Sequence, residues 1–183
     1  MKRSTLDRLI SSAGLIVVIV LYAAAGGLFY AHHFVHGQVH RQLGMQKIQF
    51  PIAGSASLTT LPAADKTAVE KYAGQQLLTG KQAEVFADHY IAVHLKKIGA
   101  GKTYAQLSAA SITDPTNTVL AGQVQTVFRG ETLRGLLLNA YAFDTMATVA
   151  GVAAYGALAA ASVLLVLSSL GFYHASLVGR QRR

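Results

Sequence analysis

The sequence predicts an all-α fold: two transmembrane helices and, between them, an extracytoplasmic antiparallel helical bundle whose last helix continues into the second span. Three observations predict this fold. The chain of 183 residues is 52% hydrophobic and only 13% charged, which is too apolar for an ordinary soluble domain. Two long windows near its ends contain no acidic residue, lysine or arginine. Between the windows no alternating strand pattern extends beyond a few residues, so helices are expected there.

The first element is a transmembrane helix over residues 9–30, which follows a cytoplasmic N-terminus over residues 1–8. Its window, LISSAGLIVVIVLYAAAGGLFY, exceeds the roughly 20 residues that a helix needs to cross about 30 Å of hydrocarbon. A cleaved signal peptide is the alternative, because the chain begins with a basic segment and Ala23 starts a run of three small residues. The apolar run continues to Tyr30, which favours a retained anchor.

The polar region that follows covers residues 31–145, and its helix limits are predicted from prolines and capping patterns. The first helix is expected to run on as a polar helix until Pro51, and the Ser-, Thr- and Gly-rich stretch between Pro51 and Pro62 is predicted to be a loop. A helix should restart near residue 65, where Thr67 and Glu70 have the spacing of a capping box.

The next predicted helix covers residues 81–98, after a stop at Gly80. Phe86, Tyr90 and Val93 recur in it at helical spacing, while charged residues lie elsewhere, as in a helix with one buried face. An antiparallel bundle would bury such faces without leaving an open edge.

The last helix is predicted to lead directly into the second span. Asp114 has the position of an N-cap and Pro115 that of the first helical residue, and no further proline interrupts the helix. The apolar window over residues 146–173 is the second transmembrane helix, and residues 174–183 form a basic cytoplasmic C-terminus.

Basic residues at the outer flanks of both windows predict the orientation. The positive-inside rule then places both termini in the cytoplasm, residues 31–145 outside, and the protein in the plasma membrane as a multi-pass protein. The net charge of +8 is interpreted as this topology signal plus attraction to the lipid bilayer, and no nucleic acid is expected as a partner. The flanking residues are Lys2, Arg3, Arg8, Arg180, Arg182 and Arg183.

Residues 97–104 read KIGAGKTY and end like a phosphate-binding loop. That loop requires glycine, four residues and then Gly-Lys-Ser/Thr, but the position that should hold the first glycine is Lys96. It also follows a strand, whereas a helix is predicted here. No nucleotide is therefore expected at Gly101, Lys102 and Thr103.

The same letters fit a junction between two helices. Gly99 and Gly101 permit a left-handed turn that ends one helix. Thr103 and Gln106 have the capping-box spacing that starts another.

Three histidines, His32, His36 and His40, would share one helix face. Two imidazoles one turn apart can hold a zinc or copper ion, but the third lies about 12 Å along the helix, so a carboxylate or histidine from another helix would be needed. The alternatives are interfacial residues with half-apolar rings and a pH-responsive patch. Apart from this metal hypothesis no cofactor is expected. The ligands of suitable type are Glu84, Asp88 and His89.

Small residues recur in both spans at the spacing by which membrane helices pack closely. They could join the two spans of one chain or different chains of a homo-oligomer, and both possibilities remain open. The predicted packing residues are Ala23, Gly27, Gly151, Ala153, Gly156, Ala157 and Ala161.

Catalytic patterns are not readable in the sequence. No serine lies in a Gly-x-Ser-x-Gly context. Asp144 is predicted to lie above the hydrocarbon, and Glu131 and Arg134 are predicted to form an ion pair within one helix. The chain contains no cysteine, which excludes disulfides and cysteine nucleophiles. A non-enzymatic protein is predicted.

Two stretches, KYAGQQLLTGKQAEVFADHYIAVHLKKIGAGKTYAQLS and VQTVFRGETLRGLLLNAYAF, resemble a family of small, uncharacterised actinobacterial membrane proteins. The resemblance covers most of the chain, including both spans. It implies the two-span topology and an actinobacterial envelope, and brings no activity, cofactor or catalytic residue.

The leading functional hypothesis is an accessory or scaffolding component of a cell-envelope membrane complex, with a membrane-protein partner or a second copy of the chain. The alternative is an extracytoplasmic sensor or ligand-binding module that uses the histidine face. The third is an oligomeric channel, although the spans show no charged pore lining.

Overall fold

In the computed structural model, which describes residues 3–180, the chain is helical, and that range contains no strand beyond one isolated bridge between Gln49 and Gln76. The predicted all-α class is confirmed. A π-helical stretch, here called the π segment, lies between α4 and α5. The helices are α1 (Arg3–Gln46), α2 (Ala56–Thr59), α3 (Ala63–Glu70), α4 (Gly80–Val85), the π segment (Phe86–Ile91), α5 (Ala92–Ile98), α6 (Tyr104–Thr113) and α7 (Thr118–Arg180).

Helices α1 and α7 have 44 and 63 residues, and both are long and apolar enough to cross a membrane. In the most apolar window of each, only 17% is buried. A core helix of a soluble protein would be mostly buried, so this exposure favours a membrane location over the core of a soluble protein. The flanking residues Lys2, Arg182 and Arg183 lie outside the described range.

The chain divides into two compact units, which are described separately. The terminal unit joins Met1–Phe34 with Ala147–Arg183, and the central unit is Val35–Met146.

Within the terminal unit, α1 and α7 meet along a ladder of contacts. Partner numbers in α7 fall as numbers in α1 rise, so the two segments run in opposite directions along this ladder. The contacts are Asp7 with His174, Ser11 with Gly171, Gly14 with Ser168, Tyr22 with Ser162, Phe29 with Tyr155, and His32 with Gly151.

Apart from Gly151, the buried positions of this unit repeat every seven residues in both helices. This is the period of helices that wrap around each other, because two repeats of 3.5 residues keep one seam facing the partner. Nearly all of its members are small. The seam consists of Ser11, Val18 and Ala25 in α1 and of Ala147, Ala154, Ala161, Ser168 and Ala175 in α7.

The central unit has an ordinary aliphatic and aromatic core. Its most deeply buried large side chains are Leu58, Val69, Leu77 and Leu137. The same core includes residues of α1, of the π segment and of α7, so the short helices α2 and α3 are held against the longer elements. Burial of this apolar surface is the main stabilising contribution to this unit.

Several predicted helix limits in the region before α4 are wrong. Helix α1 ends at Gln46, because Lys47 adopts a left-handed conformation with φ of 52°. The predicted loop contains the short helix α2. The capping box of Thr67 and Glu70 does not form, since Thr67 Oγ1 donates to the Ala63 carbonyl inside α3.

Gly80 does not stop a helix but starts α4. Its N-cap is Thr79, whose hydroxyl accepts from the Gln82 N–H at 3.2 Å, while the Gln82 side chain accepts from the Thr79 N–H at 3.1 Å. The capping box therefore forms at Thr79, and the one predicted at Thr67 is wrong.

The predicted start of the last helix is also wrong. Asp114 closes α6 and accepts side-chain hydrogen bonds from Thr116 and Asn117, so it organises a turn. Asn117 caps α7 instead, because its Oδ1 accepts from the Leu120 N–H at 2.9 Å. The prediction that this helix continues unbroken into the second apolar window is confirmed.

Candidate functional site

The candidate site is a set of polar pairs that join separate helices of the central unit. It is organised around the π segment, whose hydrogen bonding is shifted by one residue: the Ala92 N–H donates to the carbonyl of Ala87, five residues earlier. Such segments are rare and occur frequently at functional sites. Phe86 and Ile91 face the core, while the neighbours Asp88 and His89 reach two different helices.

Asp88 is bound by Arg134 of α7. The guanidinium donates twice to Asp88 Oδ1, from Nη2 at 2.8 Å and from Nε at 3.2 Å. The predicted pair of Arg134 with Glu131 also forms, at the longer distance of 3.4 Å. The hydrogen bond that Arg134 donates to Asp88 raises the pKa of Arg134 above its ordinary value, against the opposing effect of burial.

His89 is bound by Asp65 of α3, with 2.7 Å between Nδ1 and Oδ1. Because Asp65 lies in the first turn of α3, its negative charge also stabilises the N-terminus of that helix. One π segment therefore ties α3 on one side and α7 on the other.

The third pair connects α1 and α7. His36 Nδ1 lies 2.6 Å from Asp144 Oδ1, and the other carboxylate oxygen accepts the N–H of Gly80 at 3.1 Å. Asp144 thus links three chain segments and places its negative charge at the first turn of α4, where exposed N–H groups favour it. The His36 and Asp144 side chains are 34% and 18% exposed.

Gly80 is required by this arrangement. A Cβ added at residue 80 would collide with the Asp144 side chain, and it would lie 2.8 Å from Asp144 Cγ. The backbone of α4 can therefore approach the carboxylate only where residue 80 is glycine.

A histidine whose Nδ1 is held by a carboxylate is oriented for work at its other nitrogen. The same arrangement orients the imidazoles of metal sites and of general bases. In His36 it fixes the ring through Asp144. The Asp144 carboxylate also has a structural role in the central unit, because it accepts the Gly80 N–H as well as binding His36.

The three predicted metal ligands occupy different surroundings. His32 belongs to the terminal unit, where its Nδ1 donates to the Ala147 carbonyl at 2.8 Å. His36 is bound to Asp144, and His40 is exposed one turn further along α1. Across residues 3–180, no three His, Asp or Glu side chains are brought together as a set that could hold a metal ion.

The suggested additional ligands are engaged elsewhere in the central unit. Asp88 and His89 form the pairs described above, and Glu84 accepts a hydrogen bond from Lys81 at 2.7 Å. That hydrogen bond raises the pKa of Lys81. The metal hypothesis stays a prediction, because residues 3–180 contain no group of three side chains placed to hold a metal ion.

The KIGAGKTY segment is a helix–turn–helix junction. Ala100 and Gly101 adopt positive φ angles of 49° and 79°, and Thr103 and Gln106 form the predicted capping box. Gly99 has an ordinary φ of −77°, so only Gly101 of the two glycines supplies the left-handed turn.

From Gly99 to Thr103 the backbone N–H groups of this junction are already engaged within the protein. Every N–H from Gly99 to Lys102 donates to a carbonyl of the protein, and the Thr103 N–H donates to Gln106 Oε1. A phosphate-binding loop depends on such N–H groups pointing at the ligand. The geometry therefore agrees with the interpretation as a turn.

The predicted small packing residues fall into two groups. Gly151 and Ala161 are buried and Ala157 is partly buried, which places these three at the contact between α1 and α7. The other four are exposed, and no further side chain comes within 4 Å of a Cβ position at Gly27 or Gly156. The exposed residues are Ala23, Gly27, Ala153 and Gly156.

The pairs of the central unit were not predicted from the sequence. Their members are separated by 24, 46 and 108 residues, so no local spacing connects them. The sequence did carry one signal that Asp144 has a polar partner: it is the single acidic residue after Arg134 in an otherwise apolar helix.

Comparisons with protein families, with curated proteins and with solved structures found no match to this chain.

Proposed function

We propose that this chain is a non-enzymatic, multi-pass plasma-membrane protein whose terminal unit is a helical hairpin in the bilayer. In this proposal both termini are cytoplasmic, and the central unit is an extracytoplasmic helical module that scaffolds a protein partner in the cell envelope. The proposal includes an actinobacterial host, on the resemblance noted for the two quoted stretches.

The observation that carries the proposal is the inverted burial in the terminal unit. Its seam buries serine and alanine with one valine, Val18, whereas most large aliphatic side chains point outwards, with Ile16 64% and Val152 68% exposed. In water, paired helices bury their large aliphatic residues instead. In lipid there is no hydrophobic driving force between helices, and membrane helices associate through small residues that permit close backbone approach.

Hydrogen bonds across the seam support the same interpretation. The Tyr22 hydroxyl lies 3.3 Å from the Ser162 hydroxyl, and His32 is bound to the Ala147 carbonyl. Each such bond between membrane helices contributes on the order of 1 kcal/mol. They give polar groups of the apolar helices a partner within the protein, as hydrocarbon surroundings require.

A protein partner is supported by the exposed apolar surface of the central unit. Large side chains form an outer stripe on one face of α7, because they lie eight, seven and three residues apart along the helix. In α6, Ile112 is also 78% exposed. Exposed apolar patches of this kind mark protein or membrane interaction sites. The outer stripe consists of Phe128, Leu136, Phe143 and Met146, all of them more than a third exposed.

Photo-crosslinking from the outer stripe tests the scaffold function. A photoreactive residue at Leu136 should give one discrete crosslinked product in native membranes, and the same residue at Thr126, also exposed on α7, should give none. A product whose mass is twice that of the chain would identify a second copy as the partner. Absence of any crosslink from Leu136, Phe128 and Phe143 would refute the scaffold function.

The sensor alternative draws on one observation, the orientation of His36 by Asp144. His36 and His40 lie one turn apart in the same helix, at the spacing that can bind one zinc or copper ion. Titration of the purified chain with Zn²⁺ or Cu²⁺ should then show binding that is lost in His40→Gln. Identical titrations of the wild type and this variant would exclude that function.

A further inference from the structure

The terminal unit carries a groove of about 510 Å³ between the first turns of α1 and the last turns of α7. This is within the range of roughly 300–1,000 Å³ that small-molecule sites occupy. Its floor is formed by Ser11 against Gly171 and by Ser168 against Gly14. Its walls are aliphatic and consist of Ile10, Leu164, Leu167 and Leu170.

One end of the groove is polar. Asp7 and His174 line it there, and their Oδ2 and Nδ1 atoms lie 3.1 Å apart. Away from this pair the walls are aliphatic over about 10 Å of helix, from Asp7 to Gly14, and the hydroxyls of Ser11 and Ser168 lie on the floor. The groove therefore has a polar end and an apolar length, in that order along the helices.

We propose that this groove binds one anionic phospholipid of the surrounding bilayer, with its phosphate at the His174 end and an acyl chain along the leucine wall. The inference rests on the proposed embedding of the terminal unit in the membrane. The ligand class follows from the order of the lining, because a phospholipid has the same order of polar head and apolar chain.

The charge of the segments that flank the groove in the sequence favours an anionic headgroup. Residues 1–8 and 174–183 contain six lysines and arginines against one acidic residue, Asp7. The Asp7 carboxylate would repel a phosphate, but it is already bound to His174. Arg8 follows it directly and is exposed. Each basic residue near an anionic lipid surface strengthens attraction by about fivefold.

A helix of a second copy is the competing occupant. It would have to place a polar group opposite Asp7 and a narrow apolar face along the leucine wall. A lipid meets both requirements in one molecule and is present wherever a membrane helix is. The structure therefore favours the lipid, and the experiment below includes the second copy as an outcome.

Native mass spectrometry of the full chain, released from mixed phosphatidylglycerol and phosphatidylcholine nanodiscs, tests the inference. The wild type should retain one phosphatidylglycerol in preference to phosphatidylcholine. Leu167→Trp fills the groove and should abolish this retention. Leu165→Trp changes an exposed leucine of the same helix outside the groove, so it should retain the lipid as the wild type does.

Two further variants test the headgroup end. Arg8→Gln should weaken the preference for phosphatidylglycerol by about fivefold, and His174→Gln should weaken it as well. Circular dichroism of all four variants verifies that their helices form, and Leu170→Trp, which fills the same groove, replaces Leu167→Trp if that variant does not fold.

Equal lipid retention by Leu167→Trp and Leu165→Trp would overturn the inference, since the lipid would then be bound elsewhere on the helices. Equal retention of the two lipids by the wild type would also overturn it. A quantitative disulfide dimer of Leu167→Cys, a single thiol in a cysteine-free chain, would assign the groove to a second copy. Failure of the membrane proposal is distinguishable, because alkaline carbonate would then extract the protein from membranes.

Discussion

The carboxylate of Asp144 lies directly against the backbone of Gly80, with its Oδ2 accepting the Gly80 N–H at 3.1 Å. The same carboxylate binds His36 through its other oxygen. Asp144 and Gly80 are 64 positions apart in the sequence, and their contact fixes the start of α4 to α7 within the central unit.

Gly80→Ala should destabilise the central unit by about 1–3 kcal/mol, because the added methyl group collides with the Asp144 side chain. Thermal unfolding in detergent, followed by circular dichroism, measures this effect. Gly122→Ala is the matched control. It lies in α7 with no further side chain within 4 Å of its Cβ position and should leave stability unchanged or raise it by up to about 1 kcal/mol. Equal stability of the two variants would contradict the packing described here.

A double-mutant cycle of His36→Gln and Asp144→Asn should show a coupling of about 0.5–3 kcal/mol, as expected for side chains in direct hydrogen-bond contact. Asp144→Asn keeps an oxygen that can accept the Gly80 N–H, so the cycle isolates the histidine contact. Chemical denaturation of the four proteins supplies the values. Strict additivity of the two substitutions would show that the contact contributes nothing to stability.

Arg134→Gln should cost less than about 1 kcal/mol, because the Arg134 and Asp88 side chains are 33% and 38% exposed and solvent screens such pairs. The hydrogen bond raises the pKa of Arg134, so its contribution is fully present below the unfolded-state pKa and is lost only as pH rises through the folded-state pKa. Since arginine stays protonated at about pH 10, the cost of losing this hydrogen bond should be the same at neutral pH and at about pH 10. Denaturation at these two pH values measures it, and a large loss of the effect at about pH 10 would contradict the assignment.

Ala154→Leu should disrupt the seam of the terminal unit, whereas Ala153→Leu should be tolerated. Ala154 is fully buried against α1, and its neighbour Ala153 is exposed. Disulfide formation between Gly14→Cys and Ser168→Cys reports on the seam, because a Cβ at residue 14 would lie 3.6 Å from the Ser168 Cβ, within the range that a disulfide spans. The crosslink should form in the wild-type background and with Ala153→Leu, and its yield should fall with Ala154→Leu. Equal yields in both variants would refute the seven-residue seam.

The sequence predicted the features that depend on local patterns. The long apolar windows, the helix through Tyr90 and the capping box at Thr103 and Gln106 could be read from composition and spacing. The capping box expected at Thr67 failed, because Thr67 bonds within α3 and the equivalent box forms at Thr79. Spacing alone did not distinguish these two threonines.

The features that were missed depend on contacts between distant residues. Ala153, Ala157 and Ala161 have a four-residue spacing, but the seam follows Ala154 and Ala161, seven residues apart. Steps of four residues drift around a helix by about 40° each, because one turn takes about 3.6 residues. Two helices that wrap around each other meet every 3.5 residues on average. The π segment was also missed, since no sequence pattern distinguished Phe86–Ile91 from an ordinary helix.

Thiol accessibility is the most direct test of the membrane topology. The chain contains no cysteine, so Thr60→Cys in the central unit and Thr5→Cys in α1 each provide a single thiol at an exposed position. In intact cells, a membrane-impermeant maleimide should label Thr60→Cys and should label Thr5→Cys only after the membrane is permeabilised. Labelling of both thiols in intact cells, or of neither, would contradict the proposal that the terminal unit spans the bilayer with the central unit outside.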